Sequence, residues 1–283
     1  NMSSIEKLEE NKCDPGVRNS NYATKKFNTD DFERRRKDWY SEILAVKKLL
    51  CSNIPNKEKY YSIPNDVCTD DNMNHYIQMG FDGHDLFYIC NEYDRTNEIL
   101  NTKIHNNLHS YLIHMFQAIV LLHVNNFVHI DLKEENIFFN EHTVNSIKLG
   151  DFGYLKYITP NSNVTNLSGT PEFMPPKLFY TKNRRFFLKK KKVIITKPIY
   201  IYNICCLDVY AMGKVLEGLC KSWILDNNPK LKTFILTEMI PRMNPNILNK
   251  TTDIITSVSC LGLLYNFDNK IDQFYQWIKT NIN

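Results

Sequence analysis

The sequence predicts an α+β fold: a small N-terminal part of sheet plus one main helix, about residues 1–81, and a larger helical part over about residues 82–283. Three observations point there. Apolar residues at Trp39, Ile43, Val46, Leu49 and Leu50 make a stripe at helical spacing. The stretch Tyr111 to Val124 is apolar apart from His114, Gln117 and His123, which suits a long buried helix. Two short polar loops, His129 to Asn136 and Asp151-Phe152-Gly153, each follow an apolar, strand-like run. At 283 residues, with a hydrophobic share of 43%, the chain is long and apolar enough for two sizeable cores.

In chain order, Tyr22-Ala23-Thr24-Lys25 precedes the striped helix, and Glu42 follows Lys25 by seventeen residues, close to the stripe, where it can face inward. Asp30 and Asp31 suit the positive end of that helix. The Asn-, Asp- and Lys-rich stretch from about Asn53 to Asn74 reads as an expanded connection, with Tyr60, Tyr61 and Ile63 as a short strand. His75-Tyr76-Ile77-Gln78-Met79-Gly80-Phe81-Asp82-Gly83-His84-Asp85-Leu86-Phe87 reads as a strand entering a turn. Then come His129-Ile130-Asp131-Leu132-Lys133-Glu134-Glu135-Asn136, Asp151-Phe152-Gly153 and Gly169-Thr170-Pro171-Glu172-Phe173-Met174-Pro175-Pro176. A basic cluster, Arg184 to Lys192, lies in an insertion near residues 180–200, ahead of Asp208-Val209-Tyr210-Ala211-Met212-Gly213.

In this order and spacing the segments resemble the eukaryotic protein kinase family, over most of the chain. The resemblance implies a two-lobed protein-kinase-like fold, with a β-rich N-lobe at 1–81, a helical C-lobe at 82–283, and ATP in the cleft between them. Phosphoryl transfer asks a protein for positioning and charge neutralisation more than for covalent chemistry. By resemblance, Asp131 orients or accepts the acceptor hydroxyl's proton, Lys133 steadies the migrating phosphoryl group, and Thr170 bonds to both. Asn136 and Asp151 are hard oxygen donors suited to Mg²⁺. Lys25 reaches the phosphates and pairs with Glu42. Ala23, Met79 as gatekeeper, the backbone of Gly80 and Asp82, Asp85 near the ribose and Phe138 as floor surround the nucleotide. Asp208 holds the catalytic loop and opens the large central helix.

The chain also departs from the family. Residues 5–22 contain only Gly16 where a glycine-rich phosphate loop is usual, together with Pro15, Glu9, Glu10 and Asp14. That implies weak ATP binding without a closing lid, or none. Gly80 replaces the common acidic hinge residue, which loosens the joint. Ile130 stands where an Arg normally receives a phosphate on the activation segment. Lys177 replaces a Glu, and its usual Arg partner has no counterpart in Asn244 to Thr251. Phe138 replaces a smaller aliphatic residue.

The resemblance therefore implies a divergent serine/threonine protein kinase using ATP and Mg²⁺ on a protein substrate. The alternative is a pseudokinase acting as a protein-binding scaffold or allosteric partner. Thr170 and Pro171-Glu172-Phe173-Met174 disfavour a small-molecule kinase. A net charge of +4 is too small to argue for nucleic acid. The basic cluster is either a docking patch for an acidic protein or anionic membrane surface, or a solvated loop. No apolar run reaches transmembrane length. Eight scattered cysteines, with Cys205 and Cys206 expected in the core, and no signal-peptide pattern suggest a reducing cytoplasmic or nuclear setting.

Overall fold

A computed structural model describes residues 22–27, 32–69, 75–80, 83–91, 98–139, 147–159, 167–175, 186–189, 192–195, 201–244 and 255–282. Strand β1 (Tyr22–Lys26) is followed by helix α1 (Phe32–Leu50), a single turn α2 (Lys57–Tyr60), and strands β2 (Pro64–Thr69) and β3 (His75–Gly80). The three strands form an antiparallel sheet in the order β1-β3-β2, with Ala23 opposite Met79 and Lys25 opposite Ile77. Helix α1 buries Val46 and Leu49 and half-buries Trp39 and Ile43, as the apolar stripe predicts; Leu50, at the last turn, is instead exposed. Trp39 ties the helix to the sheet. Its indole N–H donates to the Tyr76 carbonyl at 3.1 Å, and its ring stacks on His75 at 4.5 Å.

The strand expected at Tyr60, Tyr61 and Ile63 does not form. Tyr60 closes α2, Tyr61 makes one isolated bridge to Leu149, and the strand begins at Pro64. The fully buried Tyr61 donates its hydroxyl to the Ala118 carbonyl at 2.8 Å, and the Ser62 amide donates to the Leu149 carbonyl at 2.8 Å. The connection is thus bonded to the larger, helical part of the molecule before β2 joins the sheet.

That part begins with β4 (His84–Asp85), α3 (Leu86–Asn91) and the 27-residue α4 (Glu98–Val124). Leu112, Met115, Phe116, Ile119, Val120 and Leu121 of α4 are all buried. The three polar breaks in its apolar run each have a partner, as buried polar groups require. His114 bonds the Lys59 carbonyl at 3.2 Å, Gln117 donates to the Tyr265 hydroxyl at 2.8 Å, and His123 bonds Asp208 and Ser257. Burial pushes the His114 imidazole down to about 4, so it stays neutral.

Short strands β5 (Phe127–Val128), β6 (Ile137–Phe139), β7 (Ile147–Leu149) and β8 (Lys156–Tyr157) bracket the two polar loops; β6 pairs with β4 and β7, and β5 with β8. Strand β9 (Leu167–Gly169) follows, then β10 (Phe186–Lys189) and β11 (Lys192–Ile195). The described part of the basic insertion is thus a hairpin, not a loop. Helix α5 (Ile201–Lys221) starts seven residues before Asp208, earlier than expected, because Ile204 and Leu207 are already buried. Helices α6 (Pro229–Phe234), α7 (Ile240–Met243), α8 (Ser257–Phe267) and α9 (Ile271–Asn281) complete the order. Cys205 and Cys206 are half-buried on α5, less than a core placement. No described helix is long and apolar enough to cross a membrane. Asp82, the segment before Tyr22 with Gly16, Asp30, Asp31, Lys177 and residues 245–251 lie outside the described residues.

Candidate functional site

The site is assembled where β1, α1 and the loop after β7 meet. Lys25 on β1 donates from Nζ to Glu42 Oε2 of α1 and to Asp151 Oδ1, both at 2.7 Å. The Glu42 carboxylate is 3% exposed, while Lys25 and Asp151 keep 32% and 35% of their side chains in solvent. Burial works against charge on all three. For Lys25 the two carboxylates outweigh it and raise the ammonium's pKa. For Asp151, Lys25 outweighs it and holds the carboxyl below its usual value. For Glu42 burial wins over Lys25, and its carboxyl is raised. Asp151 sits at φ 56, a left-handed conformation that Asp tolerates better than most residues. Behind it, buried Phe152 packs edge-on against Tyr61 at 6.0 Å.

The loop between β5 and β6 is held from α5. Asp208, fully buried, accepts from the amides of His129 and Ile130, each at 2.8 Å, and from His123 Nε2 at 3.0 Å. With Nε2 donating, His123 Nδ1 accepts from the Ser257 hydroxyl at 2.8 Å. Ile130 lies at φ 74, strained for a β-branched residue. Asp131 follows, 5% exposed. Its Oδ1 accepts from the Thr170 amide at 2.8 Å and hydroxyl at 2.7 Å. Lys133 Nζ lies 3.9 Å from its Oδ2. Asn136 donates its amide to the Asp131 carbonyl at 2.7 Å, which leaves its oxygen as the ligand-capable atom. Thr170 can come this close because the preceding residue is Gly169. A Cβ there would lie 3.0 Å from the Ile130 carbonyl oxygen and 2.5 Å from the Met174 side chain.

Around the expected nucleotide pocket, Ala23 faces Met79 across the sheet register, and Ser62 donates to the Met79 sulfur at 3.5 Å. Gly80 is the last residue of β3, opposite Tyr22 in the ladder. Asp85 accepts from the Tyr88 amide at 2.8 Å at the start of α3. Opposite Asp85 in the β4–β6 register is Phe138, half-buried. Its ring lies on the backbone of Gly150, where a Cβ would sit 2.5 Å from a ring carbon. The structure thus gathers Lys25, Glu42 and Asp151 in one set of direct contacts and Asp131, Lys133, Asn136 and Thr170 in another, with the Gly150 amide donating to the Asn136 carbonyl at 3.0 Å between the two loops. Ala23, Met79, Gly80, Asp85 and Phe138 stand on the adjoining strands.

The donor set fits a magnesium nucleotide. Among the described residues no group of three or more His, Cys, Asp and Glu side chains is placed to hold a metal alone. Mg²⁺ does not need one, since it keeps waters and takes phosphate oxygens alongside one or two protein ligands. The Asp151 carboxylate and the Asn136 oxygen are donors of the type that would hold it, and the Lys25 ammonium is a cation that would suit phosphate.

Two residues of the site escape sequence reading. His123 was visible only as a polar break in an apolar helix. Ser257 carried no signal, because it is 134 residues away in the chain.

The profile of the protein kinase domain matches residues 11–234. Mouse (Mus musculus) serine/threonine-protein kinase Nek11 is 26% identical over 183 residues, covering 62% of this chain and 27% of that protein. Calcium-dependent protein kinase 5 of Plasmodium falciparum (isolate 3D7) is 26% identical over 233 residues, 82% of this chain and 35% of that protein. The ovarian-specific serine/threonine-protein kinase Lok of Drosophila melanogaster is 31% identical over 142 residues, 48% and 26% respectively. The chain thus spans about a quarter to a third of these relatives.

Proposed function

Since the chain belongs to the protein kinase domain family, we propose that it is a serine/threonine protein kinase that moves the γ-phosphoryl group of ATP to a protein hydroxyl with Mg²⁺. The observation that carries this reading is Lys25 held between Glu42 and Asp151 while Thr170 bonds Asp131. Both halves of a phosphoryl-transfer site are then in register at once. ATP with Mg²⁺ supplies the electrophilic phosphorus and a good leaving group.

The chain's own residues do the rest. Thr170 holds Oδ1 of Asp131 by two short bonds, so Oδ2, beside Lys133 and with only a long 3.4 Å bond from the Asn136 amide, is the oxygen that takes the acceptor hydroxyl's proton. Lys133 supplies positive charge next to that oxygen. Glu42 keeps Lys25 extended toward the cleft, and Asp151 and Asn136 present oxygens to the metal. Partial burial strengthens each of these charge interactions relative to water. We propose the lobe boundary near residues 81 and 82, after the last described strand of the β1-β3-β2 sheet.

A non-catalytic scaffold is the second reading. It is favoured by the single glycine, Gly16, in residues 5–22. One comparison separates the two. Asp131→Asn should lower phosphorylation of a generic protein acceptor about 10²–10⁴-fold, the usual contribution of a positioned base, and leave ATP affinity unchanged. Turnover equal to wild type in that variant would remove Asp131 from the role. A wild-type chain that binds no ATP with Mg²⁺ would turn the conclusion to the scaffold.

A further inference from the structure

The hairpin in the basic insertion has no part in the reaction as described, yet it touches the site through the backbone. β11 pairs antiparallel with β9, with Val193 opposite Gly169, Ile194 opposite Ser168 and Ile195 opposite Leu167. β10 backs β11 along its whole length, from Phe186 opposite Ile195 to Lys189 opposite Lys192. β9 has three residues, too short to stand as a strand without a neighbour. Among the described residues its strand neighbour is β11. Val193, Ile194 and Ile195 are all β-branched, the type that best fits a pleated ladder.

β9 ends at Gly169, and the next residue is Thr170, whose amide and hydroxyl both hold Asp131. The ladder therefore stops one peptide bond before the group it would align. Nothing polar on the residue before Asp131 competes for that task, because Ile130 is apolar and buried.

We propose that the β10–β11 hairpin is a positioning element for the reaction. By adding strand β11 to β9 it fixes the segment that delivers Thr170 to Asp131, and so orders that segment without a phosphate on it. The proposal rests on the protein kinase reading above.

The test uses Ile194→Pro, which removes an amide N–H and fixes φ inside β11, with Ile194→Val as the conservative control. A second variant replaces residues 186–195 by ten Gly and Ser residues. Amide exchange across Leu167 to Thr170 is measured beside kcat, KM for the acceptor and ATP affinity. The Pro and Gly/Ser variants should exchange this segment at least tenfold faster and lose kcat at least tenfold, with ATP affinity within twofold of wild type. Ile194→Val should match wild type, and phosphatase treatment of wild type should change kcat less than twofold. Segment exchange within twofold of wild type in folded variants would overturn the proposal. So would a tenfold loss of kcat on phosphatase treatment. Loss of exchange protection in α4 and α5 in both disruptive variants would make the hairpin a general folding element and overturn it equally. If wild type shows no turnover, the kinase reading fails, while the exchange result still decides whether β11 orders the segment.

Discussion

Replacing Asp208 by Asn tests whether a strained residue is held in place from a distance. The carboxylate accepts from two buried amides at 2.8 Å, His129 and Ile130. Hydrogen bonds to a charged group contribute about 1.5–3 kcal/mol each, and the Asn oxygen restores one neutral bond of about 1 kcal/mol. From the two amide bonds alone, with the His123 bond at 3.0 Å left out, the expected stability loss is therefore at least about 2–5 kcal/mol, or about 4–20 °C in Tm at about 2–4 °C per kcal/mol. The functional effect comes from Ile130. Its φ of 74 stores strain of about 1–3 kcal/mol, which favours a relaxed loop once Asp208 no longer holds the amide. At about 1.4 kcal/mol per tenfold, the aligned population falls roughly 5–150-fold, and kcat should fall with it while ATP affinity stays level. In an Ile130→Gly background the strain is gone, because glycine adopts this conformation freely. There Asp208→Asn should cost less than about a fifth as much in kcat. Steady-state kinetics and thermal unfolding of the four proteins complete a double-mutant cycle. An equal fold-loss of kcat in both backgrounds would refute the argument.

Two further predictions concern the ion cluster. Lys25→Met leaves Glu42 buried without its cation, a loss of about 3–5 kcal/mol near pH 8. Glu42 is raised by burial and only restrained by Lys25, so without Lys25 it rises further. A carboxyl raised in the folded state adds stability below its unfolded pKa and loses it as pH rises through the folded one. Asp151, lowered in wild type, gives up its own contribution as pH falls. That loss falls below the ordinary carboxyl range, so between pH 8 and pH 5 it is the Glu42 sign that predicts a shrinking Tm deficit of Lys25→Met, and a constant or larger deficit at pH 5 contradicts this. Asp151→Ala should abolish the Mg²⁺-dependent part of the thermal shift given by ATP, because a carboxylate bridging metal and protein is lost. An undiminished Mg²⁺ increment would count against Asp151 as a ligand.

Much of this site was legible because its signals are local. The apolar stripe around Glu42 placed it facing inward, and the resemblance of the motifs to the protein kinase family implied its pairing with Lys25 and the Thr170–Asp131 contact. What was not legible depends on pairing across the chain. Tyr60, Tyr61 and Ile63 are strand-forming residues within a polar stretch, but the Tyr61 hydroxyl finds a carbonyl in α4 and the strand starts later. His123 looked like an interruption, since only the fold brings Asp208 and Ser257 to its two ring nitrogens. The basic insertion read as a loop or docking patch because the lysines around Val193 dominate the pattern. The β-branched run inside it was the overlooked signal, and its partner β9 lies some 24 residues earlier. Leu50 kept helical spacing, but the stripe had already turned toward solvent at the last turn.

The bonding of the connection after α1 makes that helix a lever with a fixed end. Leu49 is fully buried, Lys57 donates to the Leu50 carbonyl at 2.7 Å, and Tyr61 and Ser62 are bonded into the larger part of the molecule. A swing of α1 that releases the Trp39 bond to the sheet must then pivot near its C-terminus. At about 1.5 Å per residue, Glu42 stands about 12 Å from that pivot and Phe32 about 27 Å. A 10° tilt would carry Phe32 about 5 Å but Glu42 only about 2 Å, which is still enough to part it from Lys25. A partner pressing on the far end of α1 would therefore work through a mechanical advantage of about two, trading a wide stroke there for a short one at the ion pair.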